Sequence, residues 1–394
     1  MGLVQKIARS SRVGASLESF EEHLSTILDE AIAIQQIPAP TFSESERATF
    51  VEKRFIEVGL QDVGQDAIHN VFGKWPGTGT AGPVVISAHS DTVFPAETDL
   101  SIRFENGKRP GNGIIYGPGL ADNALGVAGL ITLARTIVES NLATCADVWF
   151  VANVCEEGLG DLRGMRSVVD RFGPMATYLI VEGGSFGHVF HQAIGVRRFR
   201  LAVRTPGGHS WGDYGMPSAV HQLGRIITSL DELPIPSEPK TTLNVGVVEG
   251  GTTVNTIAAS ASCLLDLRSI DSMVLEDLVR SVTGILESIG KSPEVTVSLS
   301  QIGNRPAGFI SRDKQPVAWA AEALKHVGCS RVVYMAGSTD ANVPISQGLA
   351  AVCIGLARSA NTHRLDEYLD PTDLPKGMGQ LLLLTLAAAG FDDY

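Results

Sequence analysis

Residues 84–91 read Val-Val-Ile-Ser-Ala-His-Ser-Asp. Five residues suited to a buried strand, bounded upstream by Gly82-Pro83, run directly into a histidine and an aspartate. A short apolar run flanked by turn residues reads as an interior strand. A polar pair placed where that strand must end is what an open α/β sheet uses to build a ligand site, outside the carboxyl ends of its strands. Working outward, the same grammar repeats. Asp147–Val154 (DVWFVANV) is a second strand and runs into Glu156-Glu157. Ala176–Val181 (ATYLIV) is a third and runs into Glu182. Ala350–Leu356 is a fourth, followed by a loop that holds His363. Asp122 lies between the first two, just before a predicted helix over Ala124–Val138.

The remaining elements fit the same class. Helical periodicity covers Leu17–Ile37, Thr41–Val58, Leu162–Phe172 and Gln315–Val327, and a strand is expected over Val332–Met335. Alternating strands and helices of this size predict βαβ units and a mostly parallel sheet. Between Arg197 and Leu299 the texture changes. Strands at Arg197–Val203, Thr241–Val248, Thr256–Leu267 and Glu294–Leu299 enclose helices at Pro217–Leu230 and Met273–Ile289. That order, β-α-β-β-α-β, predicts a ferredoxin-like unit. The fold class is therefore α/β, with one main domain (residues 1–195 and 304–394) interrupted by a smaller α+β insertion (196–303).

Composition bounds the function. The chain has 394 residues, 44% apolar, 19% charged and 6% aromatic, which is ordinary for a folded globular protein and excludes disorder. Against 31 Lys and Arg stand 43 Asp and Glu, a net charge of −12. An acidic chain with no basic cluster is a poor binder of phosphate backbones, so nucleic acid is not an expected partner. Five cysteines, with no Cys-x-x-Cys spacing, predict free buried thiols in a reducing cytoplasm. The N-terminus has no apolar secretory core. The most apolar run, LLLLTLAAAG, is half the length of a membrane span and reads as the core face of a last helix, so no membrane is expected.

Two imidazoles and several carboxylates converging on one sheet edge would repel each other badly. A pair of divalent cations resolves this, because the ions reverse the local charge logic. Mixed His and carboxylate ligands suit zinc, with cobalt or manganese as alternatives.

The strings SAHSDTVFP, GPGLADNALGVAGL, CEEGLGDLRG, VEGG and NTHRLDEYLD resemble the co-catalytic zinc metallopeptidases and deacylases. That family includes glutamate carboxypeptidase, aminoacylase, acetylornithine deacetylase, succinyl-diaminopimelate desuccinylase and peptidase T. The resemblance spans about residues 20 to 390 and implies two metal ions. His89, Asp122 and Glu182 would hold one; Asp122, Glu157 and His363 would hold the other, with Asp122 bridging. It implies that Asp91 orients His89, and that Glu156 is the general base for a bridging hydroxide attacking an amide. It further implies a cis peptide at Asp122–Asn123.

In the insertion, TPGGHSWGDYGMPS resembles the family's Gly-Gly-His-Ser segment, which makes His209 a substrate or oxyanion donor reaching a partner subunit. Asn255 and Arg268 match its substrate-carboxylate region, although Ala258 stands where the family has proline. Ser338, Thr339 and Asp340 are expected to shape the pocket. The insertion is expected to act as a lid and to pair two protomers as a homodimer.

The expected substrate is a short peptide, cleaved as an exopeptidase or di- or tripeptidase would. An N-acyl amino acid deacylase is the alternative, and a non-catalytic metal-binding scaffold a remote one. A nucleotide enzyme is disfavoured. Gly77–Gly82 (GTGTAG) matches G-x-G-x-x-G but precedes a strand where it should follow one, and no helix opens from it.

Overall fold

The computed structural model describes residues 2–105, 113–289 and 293–391. Its contacts separate the chain into two compact units, Met1–Gln192 with Phe309–Tyr394, and Ala193–Gly308.

The first unit is built on a large mixed sheet. From one edge the strands are Gln61–Gln65, Val71–Trp75, Val148–Asn153, Val84–His89, Thr177–Glu182, Ala351–Gly355 and His188–Ala193, with Val333–Gly337 also paired to the last. The four middle strands are mutually parallel: Val84 lies opposite Val148 and Thr177, and Ala351 opposite Tyr178. All six residues of Val84–His89 are buried. Strands covered on both faces read as continuous apolar runs, and these are the ones the sequence advertises. The helix Leu125–Glu139 packs beside this sheet with eleven buried residues. The helical stretch Leu120–Glu139 is the one among the described residues long and apolar enough to cross a membrane, yet 78% of its most apolar window is buried inside the fold. The final helix, Leu374–Ala389, is buried along nearly its whole length.

The flanks differ from the expectation of a mostly parallel sheet. Gln61–Gln65 and Val71–Trp75 form an antiparallel hairpin, and Val71–Trp75 pairs antiparallel to Val148–Asn153. The hairpin turns through Asp66, whose carboxylate accepts the N–H groups of Ile68 and Asn70. Leu17–Ile37 is not one helix: Ser11–Glu22 and Leu24–Gln35 meet at His23. The helix expected from Thr41 starts at Ser45, leaving Thr41–Glu44 as loop.

A second, small sheet in this unit matters more for the site. It runs Arg358–Ala360, Tyr368–Asp370, Ile115–Tyr116 and Arg103–Phe104. Tyr368 pairs with Tyr116, and the N–H of Gly117 reaches the Glu367 carbonyl at 3.0 Å. The loop that carries His363 is thereby fastened to the segment that leads into Asp122.

The second unit has an antiparallel sheet ordered Thr241–Gly250, Ser260–Ser269, Gly195–Arg204, Thr296–Arg305. The helices Ala219–Asp231 and Ser272–Ile289 cover it. Every second residue of Ser260–Ser269 from Ala261 onward is buried, and these meet Leu223, Ile226, Leu230, Leu275 and Val282 in one core. The strand expected over Thr256–Leu267 is broken. Thr256–Ile257 pairs with Gly208–His209, and the sheet strand begins at Ser260.

Candidate metal centre

The four parallel strands end side by side, and three of the ends deliver a polar group. His89 is the last residue of its strand, and Glu182 the last of its own. Glu156 and Glu157 follow Val148–Asn153. His363 comes from the loop after Arg358–Ala360, at φ 68°. Asp122 lies in the turn before Leu125–Glu139, and its peptide bond to Asn123 is cis. Asn123 is buried; its amide donates to the Val181 carbonyl at 2.9 Å, and its Oδ1 accepts the Gly183 N–H at 2.7 Å. The residue after Asp122 is thus tied to the residues on either side of Glu182.

The two oxygens of Asp122 face different imidazoles. Oδ1 is 3.1 Å from His89 Nε2, and Oδ2 is 3.0 Å from His363 Nε2. Glu182 Oε2 lies 3.7 Å from His89 Nε2, and Glu157 Oε1 lies 3.0 Å from His363 Nε2. Ligand atoms of His89, Asp122 and Glu182 fall within 4.8 Å of one another, as do those of Asp122, Glu157 and His363. Donors each about 2.1 Å from one tetrahedral cation stand roughly 3.4 Å apart. The observed separations have that scale, so each triplet can hold a divalent metal ion. The donor chemistry, imidazole with carboxylate, fits zinc and its neighbours.

Electrostatics give the same picture. Burial alone would push the His89 pKa down, but Asp122, Asp91 and Glu182 together raise it well above the ordinary value. His363 is pushed up to about 10, first by Asp122 and then by Glu157. Burial opposes ionisation of Asp122, yet the two imidazoles pull its pKa below the usual carboxylate range. Burial raises Glu182, and the charges of Asp122 and Glu157 add to that. The two imidazoles supply the positive charge that keeps Asp122 ionised, and Glu182, raised by burial and by its acidic neighbours, is the carboxylate that a cation would relieve.

Asp91 is fully buried and contacts both His89 and the two glutamates. His89 Nδ1 is 3.2 Å from the Asp91 carbonyl and 3.5 Å from its Oδ1. A carbonyl only accepts, so Nδ1 carries the proton and Nε2 is left to face Asp122 and Glu182. The Asp91 carboxylate accepts the N–H of Glu156 on Oδ1 and that of Glu157 on Oδ2, both at 2.9 Å, and the Thr41 hydroxyl at 2.8 Å. Glu156 is buried, with a carboxylate oxygen within 4.8 Å of ligand atoms of His89 and Glu157.

Besides Thr41, three contributors escaped the sequence reading. Glu367 is fully buried; it accepts the N–H groups of Gly119, Ala121 and Asp122 at 3.2, 2.9 and 3.2 Å. Burial, then the charge of Asp122, pushes its pKa up to about 7. Glu44 accepts the Cys155 N–H at 3.1 Å. Asn153 donates to Asp340 at 2.7 Å. Glu367 lies inside the quoted stretch NTHRLDEYLD, but nothing local distinguishes it from its exposed neighbour Asp366.

The residues assigned to substrate fare unevenly. Asp340 is fully buried and bonded to Asn153, so it supports the strand end from within and does not line a pocket. Thr339 accepts from and donates to its own loop, at Ala341 and Asn342, and half-buried Ser338 precedes it there. In the second unit, Arg268 donates to Asp266 from Nε at 2.6 Å and from Nη2 at 3.1 Å. That is an ion pair within one strand, made by one edge of the guanidinium. His209 is exposed; its Nδ1 accepts the N–H groups of Trp211 and Gly212, both at 3.2 Å, which leaves the ring proton on the outward Nε2. The Asn255 carbonyl accepts the Ser210 N–H at 3.0 Å, beside that histidine. All five cysteines are free thiols; Cys155, Cys263 and Cys353 are buried as expected, whereas Cys145 and Cys329 are partly exposed.

This fold and this cluster have counterparts. The chain is 23% identical over 382 residues to the uncharacterized protein YqjE of Bacillus subtilis (strain 168), covering 92% of this chain and 98% of the relative. It is 24% identical to a succinyl-diaminopimelate desuccinylase of Corynebacterium glutamicum over 343 residues, 84% of this chain and 88% of that one. The crystal structure of a tripeptidase from Staphylococcus aureus subsp. aureus Mu50 superposes with a TM-score of 0.78 at 20% identity, over 93% of this chain and 98% of the other. The model of peptidase family M20/M25/M40 matches residues 85–386, most of the chain, and the protein is a member of that family of metal-dependent hydrolases.

Proposed function

We propose that the protein hydrolyses an amide bond of short peptides as an exopeptidase of the di- or tripeptidase kind, with two divalent metal ions, zinc or else cobalt or manganese. The observation that carries this reading is the placement of Asp122, one oxygen toward each of two imidazoles, with Glu156 buried beside them. His89, Asp122 and Glu182 would hold one ion; Asp122, Glu157 and His363 the other. When bound, the pair would polarise the scissile carbonyl, stabilise the oxyanion and lower the pKa of a water at the site. Glu156 takes the proton from the attacking water and returns it to the leaving amine. Asp91 fixes where that carboxylate can reach, because it holds the amides of both glutamates. The similarity to a tripeptidase structure supports a peptide substrate.

The second reading, an N-acyl amino acid deacylase, uses the same residues and is favoured by the relative named a desuccinylase. Protein stripped with a chelator and reloaded with zinc, cobalt or manganese decides between them when offered di- and tripeptides beside N-acetyl and N-succinyl amino acids. Faster turnover of the acyl amino acids would overturn the peptidase reading. No turnover of any substrate would reduce the chain to a metal-binding scaffold.

The exposed outer half of the edge strand Thr241–Gly250 supports pairing of two copies through the second unit, with His209 offered to a partner's site. Light scattering tests this: a fully active monomer removes the cross-subunit role of His209. Five free thiols support a reducing, cytoplasmic location.

A further inference from the structure

Phe42 occupies a backbone position that suits glycine. Its φ is 76°, in the left-handed region, where a bulky side chain is an outlier. Such a conformation is commonly offset by packing the side chain, yet 54% of this residue is exposed. An outlier that the folded core does not explain points to function.

The location gives that function a direction. The neighbouring Thr41 donates its hydroxyl to Asp91. Phe42 is therefore one residue from a contact to the carboxylate that holds Glu156 and Glu157. The Thr41 N–H reaches the Thr92 carbonyl at 3.3 Å, and Val93, the next residue along, is 38% exposed. On the other side, the Cys155–Glu44 hydrogen bond ties the loop after Val148–Asn153 to this segment. The Arg163 guanidinium stands 5.7 Å from the Phe42 ring and holds its face. Between Cys155 and Arg163 lies Leu159, 58% exposed and two residues past Glu157.

Single exposed apolar residues need no explanation. Here three lie on segments that converge on Asp91, within two residues of Thr41, Asp91 or Glu157. We infer that Phe42, with Val93 and Leu159, forms a subsite for an apolar side chain next to the scissile amide, and that the enzyme prefers substrates with a bulky aliphatic or aromatic residue there. This rests on the amide-hydrolase reading above and adds the side-chain class that reading leaves open. Burying a leucine-sized side chain against such a surface corresponds to roughly a ten- to hundredfold preference over alanine.

The test is a tripeptide panel on the metal-loaded enzyme. Ala-Ala-Ala is the reference, and Leu, Phe, Asp or Lys replaces one residue at a time. Leu or Phe at one position should raise kcat/KM by about tenfold or more over alanine. Phe42→Gly should cut that ratio about tenfold, mainly through KM, without lowering the thermal midpoint, since glycine accepts the left-handed backbone freely. Leu159→Ser should reduce the same ratio independently. A wild-type ratio near one at every position overturns the inference. So does a Phe42→Gly enzyme that keeps the ratio, and a lower midpoint with an unchanged ratio would make Phe42 structural. If peptides are not cleaved but N-acyl amino acids are, the peptidase reading fails alone. The ratio is then read on N-acetyl-leucine against N-acetyl-alanine, with the same outcomes. Cleavage of neither class sinks both.

Discussion

The carboxylate of Asp91 receives the backbone N–H of Glu156 at 2.9 Å, and its second oxygen receives that of Glu157 at the same distance. One buried side chain thus holds the backbone of two adjacent glutamates. Asp91 lies at the end of one parallel strand and the two glutamates beyond its neighbour, so the hydrogen bonds also lock adjacent strand ends together.

This relationship predicts coupled losses. Glu156→Gln should keep its metal content near wild type and lose at least about a hundredfold in turnover, the scale of a missing general base. Asp91→Asn turns an amide N–H donor against one of the two backbone N–H groups, and should displace Glu156 and Glu157 together. If Asp91 acts through Glu156, the double variant costs little more in turnover than either single one. Full additivity in the double-mutant cycle would separate the two residues.

His363 touches both Glu157 and Asp122, whereas His89 touches Asp122 and faces Glu182. Glu157→Ala should therefore lose one metal equivalent and keep the other, read by elemental analysis after dialysis. Loss of both, or of neither, would contradict the division into two triplets.

Glu367 touches no imidazole but accepts three backbone N–H groups of the segment that presents Asp122. Removing it leaves those donors buried and unpaired, each costing about 1–3 kcal/mol. Glu367→Ala should weaken metal affinity ten- to hundredfold in competition with a chromophoric chelator, the usual scale for losing a group that orients a ligand. Glu367→Gln keeps one acceptor oxygen and should fall between. Unchanged affinity in the alanine variant would limit Glu367 to the fold.

Much of the candidate site was legible because His89, Glu156, Glu157 and Glu182 end or follow strands buried on both faces. Val84–His89 and Thr177–Glu182 are almost wholly buried, so their apolar runs stop abruptly at the functional residue. The flanking strands are written in a weaker hand. Gln61–Gln65 has no buried residue, and His188–Ala193 alternates buried and half-buried positions. Periodicity also carries through breaks it cannot sense. His23 interrupts a helical pattern that runs on unchanged, and the strand breaks between Ile257 and Ser260 inside an alternating run. Long-range polar support left still less trace. Arg268 looked free for a ligand because its partner, Asp266, points along the same strand. Thr41 and Glu367 act through contacts 50 and 245 residues away, and no local pattern encodes such a partner.

The last prediction concerns Asp340, buried behind the cluster. One oxygen accepts from Asn153, while the other is buried with no hydrogen-bond partner among the described residues. Burial is the main reason its pKa is pushed up to about 7, and the carboxylates of Glu182 and Asp91 add to it. An unfolded aspartate titrates near 3.9. Between those values the folded protein holds a proton that the unfolded chain has released. The stability this group contributes is therefore fully present below about pH 4 and is lost as pH rises through 7. Asp340→Asn removes the titration while keeping an acceptor for Asn153. In metal-stripped protein, the difference in thermal midpoint between variant and wild type should move in favour of the variant between pH 4.5 and pH 8, by several degrees. Bound cations should shrink that movement, because positive charge near His89 and Glu182 favours the ionised carboxylate. Midpoints that track each other across this range would mean that Asp340 is ionised throughout, and that Asn153 alone meets the cost of burying it.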